Sequence, residues 1–121
     1  MVRPRREDVD ARLPLKPLVF QVLLALADGE RHGWAVVREV QMRGGFEKLM
    51  PGNFYRTLRA MLAEGLIEEC GDLRDRRQDD ERRRYFQLTP LGSATAIAEA
   101  RRLEALLLEA RAKRLLPKAR S

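Results

Sequence analysis

MPGNFYRTLRAMLAEGL, residues 50–66, decides how this chain is read, because it is a short helix with two incompatible faces and a built-in stop. At the helical angle Phe54, Leu58, Met61 and Leu62 gather on one side, while Asn53, Arg56 and Arg59 point away from it. The first side requires a core. The second suits an anion or a base edge. Pro51 fits the first helical turn, where its missing N–H costs nothing, and Gly65 fits the left-handed position that ends a helix before an extended Leu66-Ile67. A helix of about four turns with an arginine-bearing outer face has the dimensions of a DNA major groove. An ordinary amphipathic helix with solvated arginines would look the same in isolation, so the neighbouring segments must decide.

Upstream, His32-Gly33-Trp34 leads into a helix running to about Met42, with Val36, Val37 and Val40 as its apolar stripe and Gly44-Gly45 as its end. The linker Phe46 to Met50 joins it to the arginine-bearing helix. His32 is the only histidine and has no cysteine pair near it, so a capping or packing role is expected and a metal site is not. Trp34 borders the valine stripe as a partly buried packing residue. Further back, Leu18 to Ala27 is a helix apolar almost all round, opened by Pro17 and closed by Asp28-Gly29. It is too short to span a bilayer, so protein must cover both faces, one in the core and the other, with Leu18 and Val22, on a second subunit. Residues 1–12 alternate arginines with Glu7, Asp8 and Asp10 and are expected to form a flexible basic tail or weakly held arm.

Downstream, Leu66 to Leu73 and Arg82 to Leu88 alternate as two short strands around the polar run Arg74 to Glu81, which predicts a β-hairpin with a long tip. The tip mixes both signs of charge, but its arginines are grouped and can turn towards phosphates while the carboxylates face water. Cys70, the single cysteine, is expected as a small buried strand residue. Thr89-Pro90 is a cap followed by a first-turn proline, opening a last helix to about Leu116. Along it Ile97, Ala100, Leu103, Leu107 and Ala110 recur at helical spacing, widened by Leu106 and Leu108. Such a helix, arriving after the domain is complete, has little left to pack on in its own subunit. The expected dimer interface therefore comprises Leu18, Val22, Ile97, Leu103, Leu106, Leu107 and Ala110, with residues 117–121 as a flexible tail.

Composition narrows the function. The 121 residues fit one domain with appendages. Lys and Arg number 24 against 18 Asp and Glu, a formal charge of +6, which puts polyanions first among partners. The basic residues are nearly all arginine, which forks onto phosphates and guanine edges better than lysine does. One cysteine makes no internal disulfide, and no apolar run suits a bilayer span or a signal peptide, so a soluble cytoplasmic protein is expected. An enzyme is not: there is no Ser/His/Asp arrangement, no phosphate-cradling glycine loop and no carboxylate pair in an apolar surround, and no cofactor is implied.

Helix, helix, helix, hairpin is the order of a winged helix-turn-helix, mainly α with a small β-hairpin, here spanning residues 13–89 and followed by a dimerisation helix over residues 90–116. The words of the sequence also resemble the PadR-type transcriptional regulators, a group of bacterial repressors. The resemblance rests on Leu23-Leu24-Ala25-Leu26 before His32-Gly33-Trp34, on Pro51-Gly52 with Tyr55-Arg56 and Leu58, on Glu64-Gly65-Leu66-Ile67, and on Arg84-Tyr85-Phe86 before Leu88-Thr89-Pro90 with Gly92. It covers residues 13–92 and looks like the branch of the family with a single helix after the wing. It implies a homodimeric repressor on a palindromic operator, with the recognition helix in the major groove and the wing against the backbone. It also allows a small aromatic effector near the dimer interface. On this reading Asn53, Arg56 and Arg59 are candidates to read bases, and Tyr55, Thr57, Arg74, Arg76, Arg77 and Arg82 are candidates for the DNA backbone. The chain departs from the family at Trp34, where His-Gly-Tyr is usual, at Met50, where Ser or Thr is frequent, and at Asn53, where a small hydroxyl residue is. Because Met50 cannot cap, Asn53 either caps a helix that starts late or is free to read adenine. The competing reading is a winged-helix module that binds another protein through its arginines.

Overall fold

The computed structural model describes residues 3–43, 45–71 and 84–118. In chain order these form α1 (Arg6–Asp10), α2 (Pro17–Ala25), β1 (Arg31–His32), α3 (Gly33–Gln41), α4 (Pro51–Ala63), β2 (Ile67–Cys70), β3 (Tyr85–Leu88) and α5 (Pro90–Ala112). The fold is a winged helix, mainly helical with a small antiparallel sheet.

One core holds it together. Val22, Leu23 and Leu26 of α2 meet Val36, Val37 and Val40 of α3 and Phe54, Leu58 and Met61 of α4, with Leu66, Ile67 and Phe86 closing the sheet side. Polar groups brace the helices from outside. The Arg31 Nε donates to the Ala25 carbonyl at the end of α2 (2.9 Å), and Arg43, just past the end of α3, bridges Glu39 of that helix and Gln21 of α2. The sheet has β3 at its centre, paired to β2 with Ile67 opposite Leu88 and to β1 with Arg31 opposite Phe86. The expected hairpin is therefore joined by a third strand. Two residues carry no periodicity, so the alternation that revealed β2 and β3 could not reveal β1.

The end of α4 is set by Gly65 in the left-handed conformation (φ 76°). The Leu66 N–H reaches back to the Met61 carbonyl (3.0 Å) and the Gly65 N–H to that of Leu62 (3.1 Å), which together close the last turn. The start of α5 is built onto this turn. The Thr89 hydroxyl accepts from the Gly92 N–H (3.0 Å) as the N-cap and donates to the Gly65 carbonyl. A Cβ on Gly92 would lie 1.8 Å from the Leu66 carbonyl oxygen, so only glycine permits this approach. At its far end α5 stops at Ala112, with Arg114 left-handed (φ 63°) and the Leu115 N–H bonded to the Ala110 carbonyl (2.8 Å).

Three expectations change. Within residues 1–12, expected as a tail, residues 6–10 form a helical turn that packs against α5 with Val9 buried. Val22, placed above on a dimer surface, is fully buried in its own core and offers nothing to a second chain. A helix apolar all round gave no sign of which face the core would take; Leu24 is a large apolar residue of α2 that is left exposed. Cys70 is half-buried, its thiol donating to the Glu30 carboxylate (3.2 Å), because β2 runs out from under the core before it reaches that position.

Candidate nucleic-acid interface

Helix α4 begins at Pro51, with Met50 extended as its N-cap and contributing no side-chain cap. Asn53 is therefore the third helical residue. It does not cap a late-starting helix, and its side chain is exposed. Phe54, Leu58 and Met61 are each no more than 1% exposed, and Arg56, one half-turn away from that stripe, stands at the middle of the outer face. Asn53 and Arg59 flank Arg56 on either side and are exposed too. The three base-reading candidates thus share one solvent-facing surface. The first turn of α4 carries no acidic residue, so its amide end and its arginines present the same sign of charge to an incoming anion.

The backbone candidates divide. Tyr55 is half-buried, its ring edge-on to Phe54 with centroids 5.1 Å apart, and its hydroxyl oxygen is buried. That hydroxyl offers no surface to a phosphate. Thr57 is half-buried on the flank of α4 and lines an open groove of about 630 Å³ together with Ala60, Met61 and Glu64. Arg74, Arg76, Arg77 and Arg82 lie outside the described residues. At the base of the wing Arg84 pairs with Glu69 (3.0 Å), and the His32 ring packs on Tyr85 with centroids 3.8 Å apart. His32 thus has the packing role expected of it, whereas Trp34 is 43% exposed, with Arg38 5.9 Å from its ring centre.

On α5 the first half is covered by its own chain, with Gly92, Thr95 and Glu99 buried. Leu103 and Ala110 are half-buried, Leu106 is 54% and Leu107 46% exposed, and Ile97 is 51% exposed on the opposite side from Glu99. Leu18 of α2 is half-buried against the edge of the core.

Sequence reading passed over Glu99. Its carboxylate accepts the Leu15 N–H (2.8 Å) and the Arg102 guanidinium through both oxygens, which ties the segment between α1 and α2 to α5. The Arg102 hydrogen bond holds the Glu99 carboxyl below its ordinary value; burial opposes this and the Leu15 N–H reinforces it. Arg102 is raised in return. The available signal was Thr95, Glu99 and Arg102 spaced four and then three apart, a polar line on a side of the helix that is otherwise small or apolar.

Among the described residues no group of three His, Cys, Asp or Glu side chains could hold a metal ion, and no helix is long and apolar enough to cross a membrane. The model of the transcriptional regulator PadR-like family matches residues 22–98, from the middle of α2 into α5. No curated protein matches the chain.

Proposed function

The chain belongs to the PadR-like family of transcriptional regulators, and we propose that it acts as a homodimeric repressor on a palindromic operator, inserting α4 into the major groove. The observation that carries this reading is the outer face of α4, where Asn53, Arg56 and Arg59 are exposed together above a helix whose other side is fully spent on the core. Asparagine pairs in bidentate fashion with adenine and arginine with guanine, so this triplet suits edge recognition. The wing arginines Arg74, Arg76, Arg77 and Arg82 then supply affinity without sequence preference.

Operator geometry supports pairing of two chains. Two recognition helices about 34 Å apart meet successive major grooves on one side of a duplex, whereas a single winged helix binds weakly. The exposed Leu106 and Leu107 of α5, with the half-buried Leu103 and Ala110 along the same side, are the surface assigned to that pairing; Ile97, on the opposite side of α5, and Leu18, at the edge of the core, lie apart from this stripe. Release by a small aromatic effector held near the paired helices completes the reading.

Selection of binding sites from random duplex DNA tests it. A two-fold-symmetric consensus with half-sites about one helical turn apart is the expected outcome. Recovery of no consensus, alongside tight binding to an acidic protein surface, would replace repression with the interaction-module reading.

A further inference from the structure

The segment that joins α1 to α2 lies beside α4. Ala11, Arg12, Pro14, Leu15 and Lys16, with Val19 of α2, line one side of the groove of about 630 Å³, and Thr57, Ala60 and Met61 of α4, with Glu64 at its C-cap, line the other. Two anchors keep this arm in place. Val9 is buried where α1 packs on α5, and the Leu15 N–H is held by the buried Glu99 carboxylate. Between and beyond those anchors the chain carries two cations on the groove wall. Arg12 is fixed by donating to the Asp8 carbonyl, and Lys16 is exposed.

We infer that this anchored arm is a second contact to nucleic acid, with Arg12 and Lys16 gripping the phosphodiester backbone that borders α4 on its Thr57–Glu64 flank. The inference rests on α4 being the helix that enters the major groove. Its warrant is a matter of widths. An α-helix with its side chains is about 10–12 Å across and the major groove about 12 Å wide, so a helix seated there fills it from wall to wall. Whatever stands beside an exposed flank of that helix meets the phosphates that form the wall. Asn53 and Thr57 lie on the same flank as Ala60 and Glu64, one and two turns along the helix, so the arm borders the reading surface itself. The wing is the backbone contact expected from the fold; the arm is a separate one, built from the end of the stretch that composition marks as a tail and the residues that lead from it into α2.

Charge in the groove is mixed, and this gives the test opposite signs. Arg12 and Lys16 attract phosphate, while Glu64 on the facing wall repels it. Of the acids of α1, Asp10 faces Arg6 at 3.8 Å, and the Arg12 hydrogen bond to Asp8 goes to its backbone carbonyl.

The experiment uses the full chain and a labelled duplex of mixed sequence, with affinity followed by fluorescence anisotropy across a salt titration. Each of Arg12→Gln and Lys16→Gln should lower the slope of log affinity against log salt by about 0.9, so that for a fourfold rise in salt each variant loses roughly three- to fourfold less affinity than the native chain. Glu64→Gln should shift affinity the other way, tightening binding at low salt. Melting curves followed by circular dichroism check that all three variants are folded. If both slopes equal the native one while Arg56→Ala weakens binding, the arm faces solvent and the inference is overturned with α4 still the reading helix. If the native chain binds no duplex at all, the inference falls together with the proposed function.

Discussion

Helices α4 and α5 each carry an apolar stripe along one side, yet the chain treats them differently. In α4 the stripe is used up: Phe54, Leu58 and Met61 are buried in one core, and the remaining surface is polar and arginine-bearing. In α5 the covered side, Gly92, Thr95 and Glu99, runs on past the domain into Leu103, Leu106 and Ala110, where its own chain supplies little further cover. A helix of 23 residues is about 35 Å long, more than the face of so small a domain can underlie. The lesson is that a stripe of leucines reports where apolar area must be buried without saying by which chain. Helix α4 is finished within the monomer, whereas α5 keeps exposed leucines that the proposed dimer would cover. The joint between them is rigid, because Thr89 and Gly92 seat the start of α5 on the Gly65-Leu66 turn that ends α4.

The sharpest way to break the comparison is Leu106→Glu with Leu107→Glu. These two are chosen because Leu103 is already half covered by its own chain. Counting half the usual burial energy for each of four leucines, a dimer should lose roughly 3–6 kcal/mol, and the charges add to that loss. Sedimentation should then show monomer with an unchanged melting temperature for the domain; a persistent dimer would place the interface elsewhere. Next in size is Gly92→Ala, which attacks the joint. The added methyl meets the Leu66 carbonyl, so thermal unfolding should report a loss of about 1–3 kcal/mol or more, with operator binding weakened through the altered angle between the helices. An unchanged melting point would mean that α5 can slide on the turn.

Arg56→Ala should leave stability and dimerisation alone and cost about 1–3 kcal/mol of operator binding, with preference relaxed at one position of each half-site. A uniform loss over all sequences would reassign Arg56 to a phosphate. The smallest expected effect is the pH dependence of Glu99. Its folded pKa is below its ordinary value, so its contribution is fully present above the ordinary carboxylate range and is lost as pH falls through the lowered folded value. The difference in Tm between the native chain and Glu99→Gln should therefore be largest at neutral pH and narrow in acid. A constant difference across that range would mean the clamp does not depend on ionisation.

Much of this was legible in the residues. Pro51 and Gly65 bracket α4 to within two residues of its observed limits, and Thr89-Pro90 opens α5 at the expected position. Capping and left-handed turns are local chemistry, decided by a side-chain oxygen or a missing Cβ within a few residues of the effect. Periodicity likewise separated the polar and apolar faces of α4. Local chemistry allows two helix starts around Asn53, and α4 begins at the earlier one, Pro51.

What the sequence determined by itself, then, is the set of elements and the sidedness of those that are clearly amphipathic, because both follow from interactions a few residues apart. Tertiary structure decided everything that depends on which remote surfaces meet. Val22 went to the core and Leu24 outward because α3 and α4 cover one side of a helix whose own residues are apolar on every side. Residues 31–32 became a strand because β3 lay alongside to pair with them. Residues 6–16 became a docked arm because Glu99, more than eighty positions away, holds the Leu15 N–H in a buried site where an unpaired carboxylate would be costly.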